Sequence, residues 1–365
     1  MADNDYRTSA KGILVLGNTI SAATTGQVLQ KVGEQLETEL FGPEATLDAA
    51  RQAPANPVPL LILSSDGSRY RTNEADRRRD TSQTPKKSGA AVPGDELDIE
   101  ALTEGERDRG WRENKIGIVA RALPGHYDAK GHYLPPEELL KSYVATVASI
   151  ERFGRLLRTE GERRGLLTAK EIVWVGDHGH GNPGMLAREF LNTKILVHII
   201  TDFYHTSERL AECAKIIEGE GPHHKRKRHK LFQQLRSWLW NGGVSKVIQK
   251  LCTLAEARAP RPGKLADLAA QPALRTLWLH IFYLEKHQNS MDYPSYRAKG
   301  WPMGSGVIES ACGQFGNRVK HNRMRWTRRN ADALHGVKAA IFSQDDRWTR
   351  RWPQPIPILE MRAAS

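Results

Sequence analysis

Asp66, Asp177 and Glu309 are carboxylates set in local sequences that would hold them rigidly. Asp66 follows the apolar run Leu60-Leu61-Ile62-Leu63 and precedes Gly67, and Asp177 ends a second run, Ile172-Val173-Trp174-Val175-Gly176. Glu309 lies in Gly304-Ser305-Gly306-Val307-Ile308-Glu309-Ser310-Ala311-Cys312. An Asp at the tip of a buried strand faces the loop layer where ligands collect in α/β folds. Two strand ends and one helix-borne Glu make an oxygen-rich pocket for two hard cations, which suits in-line displacement at phosphorus. The chemistry expected is DNA cutting and joining. Singly, each acid has an ordinary explanation as well. Asp-Gly after a strand is a turn signal, the glycine-rich loop after Asp177 reads equally as a solvated turn, and Glu309 as a first-turn acid that complements the helix dipole.

The elements that must position these acids follow from periodicity. Residues 1–53 read as a small helical segment in which Val28, Leu29 and Val32 mark one face; it fits a remnant of a helix-turn-helix DNA-binding region or a plain packing helix. Pro54 to Pro59 delivers the Asp66 strand, with Arg69-Tyr70-Arg71 expected to begin a hairpin partner. A polar, aperiodic stretch over about 73–109 reads as a flexible excursion. Strand character returns at Trp111–Ala120, and a helix is expected from Pro136 to about Arg164, with Leu139, Leu140, Tyr143, Val147, Ile150, Phe153 and Leu157 on one face. The Asp177 strand, a helix around Met185 to Phe190 and a strand over Lys194–Ile200 ending at Asp202 complete an α/β layer. Hairpin-like strands first and alternating units later is the layout of a ribonuclease-H-like core over 54–205. An all-helical insertion is expected over 206–300, then a core-completing segment over 301–345 and a tail over 346–365.

Two further groups bear on the chemistry. Asp202 and His205 are one helical turn apart, so either joins the site as a metal ligand or as an orienting neighbour, or else they are an N-cap and a half-buried His. The run Arg318, Lys320, Arg323, Arg325, Trp326, Arg328 and Arg329 follows Glu309 closely. Such a run is often a solvated face; beside an acidic site it favours DNA contact, with Trp326 placed to stack on a base.

Composition agrees with a nucleic-acid partner. The 365 residues carry 54 Lys+Arg against 42 Asp+Glu, a net charge of +12, and such an excess favours a polyanion through counterion release. Three cysteines without ligand-like spacing argue for a reducing compartment and against a zinc site. No apolar stretch approaches a membrane span, so a cytoplasmic, nucleoid-associated protein is expected.

The chain resembles the ISKra family of bacterial insertion-sequence transposases, relatives of the mutator-like group. The resemblance is carried by Trp111-Arg112-Glu113-Asn114-Lys115-Ile116-Gly117, by Gly176-Asp177, by Ile199-Ile200-Thr201-Asp202-Phe203-Tyr204-His205, by Gly304–Cys312 and by Arg323-Met324-Arg325-Trp326. It implies a ribonuclease-H-like fold and an Asp-Asp-Glu triad at Asp66, Asp177 and Glu309 using Mg²⁺, with Mn²⁺ able to substitute. It also implies an Asp-x-x-His signature at Asp202 and His205, and spacing leaves Asp202 as an alternative second acid. His178 departs from the small residue that relatives carry after that acid. The chain begins near the end of what is usually a larger N-terminal DNA-binding region. The expected function is cleavage and strand transfer of an insertion sequence by a homo-oligomer acting on element ends and target DNA. The alternatives are a structure-selective nuclease on the same fold, or a truncated or repurposed transposase that only binds DNA.

Overall fold

A computed structural model describes residues 22–71, 111–179, 182–191, 195–319 and 326–352. Its centre is a mixed sheet built from β1 (Leu60–Arg71), β2 (Trp111–Leu123), β5 (Glu137–Thr146), β6 (Glu171–Gly176) and β7 (His198–Thr201), in the order β5-β2-β1-β6-β7. A two-stranded ribbon, β3 (His126–Tyr127) and β4 (Tyr133–Leu134), projects from the β2–β5 turn. β1 runs antiparallel to β2 and parallel to β6, β2 is antiparallel to β5, and β6 is parallel to β7. The first three long strands therefore form a meander, and the last two join it in parallel through helical crossovers.

β1 reads as a continuous apolar run because both of its faces are covered. Leu60 and Ile62 point into one cluster, which continues through the helices after β7 to Leu251 and Trp278. Leu61 and Leu63 point into the other, with Phe153, Trp174 and Phe190. Helix α1 (Ala22–Phe41), the short α2 (Pro43–Asp48), α3 (Ile150–Arg163) and α4 (Asn182–Leu186) precede β7. After it come α5 (Phe203–Glu218), α6 (Lys225–Trp240), α7 (Val244–Glu256), α8 (Pro272–His287), α9 (Tyr293–Ala298), α10 (Gly306–Val319) and α11 (Arg328–Phe342). Among the described residues 203–298 are wholly helical apart from turns, and no described helix is long and apolar enough to cross a membrane.

Three local expectations are corrected. The helix expected from Pro136 is a strand, β5, followed by a helix that starts only at Ile150, where the Ser149 hydroxyl accepts from the Arg152 N–H. Leu139 is exposed, whereas Tyr143-Val144-Ala145-Thr146 is buried and paired with β2. Arg69-Tyr70-Arg71 does not start a new strand: it prolongs β1, and β2 is the antiparallel partner. The strand expected from Lys194 is limited to His198–Thr201. Most of the polar excursion and the tail from Pro353 lie outside the described residues.

β5 is the sheet edge, and α11 covers it. The Ser343 hydroxyl accepts from the Tyr143 N–H, Gln344 exchanges bonds with the Lys141 backbone, and Asp332 accepts from Thr146 Oγ1 and the Val147 N–H. Those side chains occupy ladder positions that another strand would otherwise use. In the middle of α11, His335 is fully buried and its Nε2 meets the Asn114 amide nitrogen at 3.1 Å. Burial, with Lys338 as a lesser influence, pushes its pKa down to about 3. A folded value below the unfolded one means that the unfolded chain takes up the extra proton. The contribution is complete above about pH 6.5 and shrinks as pH falls toward 3, by about 1.4 kcal/mol per pH unit. Wild type should therefore lose about 2 kcal/mol between about pH 7.5 and about pH 5 through this residue. His335→Gln should flatten that part of the profile in urea titrations; a wild-type slope unchanged by the substitution would rule His335 out.

Candidate active site

The parallel register of β1 and β6 pairs Ser64 with Val175. Asp66 lies two residues further along β1, inside the strand and opposite Ile116 of β2 rather than at the strand tip that the sequence suggested, whereas Asp177 directly follows the last residue of β6, Gly176. Alternation puts Asp66 on the face of Leu60 and Ile62, and Asp177 on the face of Val173 and Val175, the face that α10 covers with Ile308, Ala311 and Phe315. Glu309 stands in the first turn of α10, half-exposed. Asp66 Oδ1 accepts from the Gly67 N–H at 2.7 Å, and Asp177 Oδ1 accepts from the Gly179 N–H at 2.8 Å. Each local bond fixes the carboxylate through one oxygen.

Asp202 holds the surrounding loops together. It is fully buried, and its own N–H donates to the Gly176 carbonyl at 3.0 Å, just before Asp177. Its Oδ1 caps α5 by accepting from the His205 N–H at 2.9 Å. Its Oδ2 accepts from both the backbone N–H and the hydroxyl of Ser305, the latter at 2.5 Å. A further bond runs from the Phe203 N–H to the Met303 carbonyl at 2.9 Å. Gly304 is obligatory here, because a Cβ would lie 2.4 Å from the Tyr204 ring. Through its backbone N–H and its carboxylate, this one residue ties the end of β6, the start of α5 and the entry to α10, next to Asp177, His205 and Glu309.

His205 Nε2 lies 3.2 Å from Glu309 Oε1, and Nδ1 lies 3.5 Å from Glu208. Partial burial works against protonation, but Asp202, Glu309 and Asp177 outweigh it and raise the imidazole's pKa. The contact with Glu309 lets the imidazole orient that carboxylate when protonated, or hold a metal ion beside it when neutral. Asp202, His205 and Glu309 do bring ligand atoms within 4.8 Å of one another. Asp202, however, already accepts three hydrogen bonds, and an ion there would have to displace them. Asp66, Asp177 and Glu309 carry hard carboxylate oxygens, the donor type that Mg²⁺ prefers, but of the three only Glu309 belongs to that ligand cluster among the described residues.

The Asp177 loop is clamped from the helical side by residues that the sequence did not single out. Tyr283 on α8 donates its hydroxyl to the Asp177 carbonyl at 3.0 Å. His287 stacks on His178 with ring centroids 4.0 Å apart. His178 Nε2 meets Thr201 Oγ1 at 2.8 Å, and Thr201 meets Ser290 Oγ at 2.7 Å. His178 is the one described non-glycine residue with positive φ, at 59°, a conformation that persists only where its surroundings fix it. Burial, then the neighbouring His287, lowers its pKa to about 4. No sequence signal pointed to Tyr283, which is separated from Asp177 by 106 positions.

The basic run is reached only in part. Lys320, Arg323 and Arg325 lie outside the described residues, and of Arg318 only the backbone is described. Trp326 does not present its ring for stacking: it is buried with Tyr70, Val147 and Leu334, and its backbone N–H donates to the Arg71 carbonyl. The apolar indole is better satisfied in that cluster than at the surface. Arg329 pairs with Glu34 of α1 at 2.5 Å, and Arg328 is half-buried at the start of α11. Beside the acids, a cavity of about 780 Å³ runs from Gly304 and Ser305 across the sheet face to Tyr127 and Tyr133 of the ribbon. Compared with known proteins, the chain matches no family model and no curated protein.

Proposed function

We propose that this chain is a DDE-type transposase of the ISKra kind, with a ribonuclease-H-like core and a triad of Asp66, Asp177 and Glu309. The observation that carries the reading is the sheet order β5-β2-β1-β6-β7, with Asp66 on β1, Asp177 just past the end of the neighbouring parallel β6, and Glu309 on the helix packed against β1. A meander followed by two parallel units is the layout of that fold class, and the placement of the acids suits it. Mg²⁺ held by the three carboxylates would supply charge neutralisation at a scissile phosphate and a nucleophile at neutral pH.

The protein's own groups do the positioning. Gly67 and Gly179 each hold one carboxylate oxygen, of Asp66 and of Asp177, and leave the other free to turn to a ligand. The His205 imidazole, 3.2 Å from Glu309 Oε1, fixes Glu309 from the side. Asp202 locks the relative placement of all three segments, which is the work of a positioning group. No Ser or Tyr nucleophile is required, since water and then a DNA 3′-hydroxyl can attack directly.

The deciding experiment supplies labelled DNA that carries the element ends together with a target plasmid and Mg²⁺ or Mn²⁺. The expected result is strand cleavage that leaves a 3′-hydroxyl, followed by covalent joining of that end to the plasmid. Cutting without joining would replace the reading by a structure-selective nuclease. Tight binding with no cutting would replace it by a protein that only binds DNA.

A further inference from the structure

α5 and α6 form a hairpin of two helices that starts at the acid cluster and returns to it. At its base, the Phe203 ring, next to Asp202, meets the Trp240 ring with centroids 4.8 Å apart. At its tip, Arg228 donates to the Gly219 carbonyl at 2.8 Å and closes the turn. Each helix has 16 residues, so the tip stands about 24 Å from the base at 1.5 Å per residue.

The tip carries a concentration of charge that folding does not use. Lys225, Arg226, Lys227 and Lys230 occupy the first turns of α6, all exposed, and none makes an ion pair among the described residues. No acid sits in the first turn of α6, and the N-cap His224 makes no side-chain cap. The nearest turn acids are Glu218 and Glu220, and Glu220 is engaged by Lys215 at 2.8 Å. Cations at the positive end of a helix dipole oppose the helix they stand on. An arrangement that works against the fold points to a ligand, and four free cations on one projecting tip fit a line of phosphates.

We propose that the tip of the α5–α6 hairpin is a second DNA contact, a sequence-independent clamp on the duplex backbone. Its distance from the acids corresponds to about 7 bp at 3.4 Å per base pair. The placement relative to the cut rests on the acid cluster being the cleavage centre; the contact itself does not. Contacts to phosphates carry affinity and register but no sequence information, so the clamp as proposed adds no sequence preference.

The test compares the full chain with Arg226→Ala/Lys227→Ala/Lys230→Ala, by fluorescence anisotropy on a duplex of about three helical turns over a range of salt. Loss of three phosphate contacts should make the slope of log affinity against log salt shallower by about 2 to 3. The thermal midpoint should stay the same or rise. An unchanged slope in the folded variant overturns the clamp. In the cleavage assay, substrates trimmed to about 4 bp beyond the cut are too short to reach the tip. Wild type and variant should cut those equally, and wild type should be faster only on long substrates. An equal deficit on short substrates overturns the placement. A shallower slope in the variant, with no cutting by wild type on any DNA, supports the clamp and sinks the cleavage reading.

Discussion

Glu309→Gln, Asp66→Asn and Asp177→Asn should each lower DNA cutting by about 10³-fold, roughly 4 kcal/mol of transition-state stabilisation, while the thermal midpoint stays within about 1 °C of wild type. The amide is nearly isosteric, so at positions 66 and 177 its oxygen can still accept from the Gly67 and Gly179 N–H groups that hold the acids now. What disappears is the charge. Asp202→Asn behaves differently, because both of its oxygens are acceptors in a fully buried site. An amide NH₂ must then face a donor, either the His205 N–H or Ser305, and a buried clash of this kind costs about 1–3 kcal/mol. Asp202→Asn should therefore lose stability and activity together. The pair of readouts separates a ligand from a positioning residue: activity loss at Asp202 with unchanged stability would move the second acid there. Full activity in Asp177→Asn would remove Asp177 from the triad.

The two strands were legible because β1 and β6 are central and covered on both faces. Burial of that kind writes an apolar run, Leu60 to Leu63 in β1 and Ile172 to Val175 in β6, though β1 itself runs on past Asp66 to Arg71 and its true end was not legible. The start of the helix that bears Glu309 was legible from Pro302 to Gly306, where the chain must break. β5 was misread for a physical reason. It is an edge strand whose first half is exposed, so its apolar residues do not alternate strictly, and Leu139, Leu140, Tyr143 and Val147 match a helical spacing by coincidence. Only pairing with β2 overrides it.

The role of Asp202 was visible as an N-cap and invisible as a hub. Its cap partner His205 is three positions away, whereas Ser305 is 103 positions away and no local pattern joins them. The same holds for Tyr283 and His287, which clamp the Asp177 loop from a helix that reads as ordinary packing. Trp326 shows the converse error. Its basic neighbours suggested an exposed aromatic, yet its apolar contacts with Tyr70 and Leu334 decide its place. Local geometry was legible where residues close in sequence share a task. Long-range support was not.

The strongest effect on stability should come from Glu160, on the far side of the sheet from the acids. It is fully buried at the end of α3, and its carboxylate receives Arg163 at 2.5 Å, Arg164 at 2.9 Å and Arg347 at 2.6 Å. Asp345 completes the network through Arg164 and Arg347. Burial alone would push the carboxyl's pKa up; Arg347, Arg164 and Arg163 outweigh it and hold it down at about 2. Because the folded value lies below the ordinary 4.5, this stabilisation is complete above about pH 4.5 and fades as pH falls toward 2. Glu160→Gln leaves three guanidinium groups with Asp345 as their only carboxylate in the network, and removing one partner of a buried ionic group costs about 3–5 kcal/mol. The loss should show at neutral pH as a lower urea midpoint with an unchanged slope, and should narrow in acid. Adding Arg347→Met to Glu160→Gln removes a stranded charge along with its partner, so the double variant should recover part of the loss. A double variant that loses the sum of the two single losses would mean that Glu160 and Arg347 act independently, against the geometry of the network.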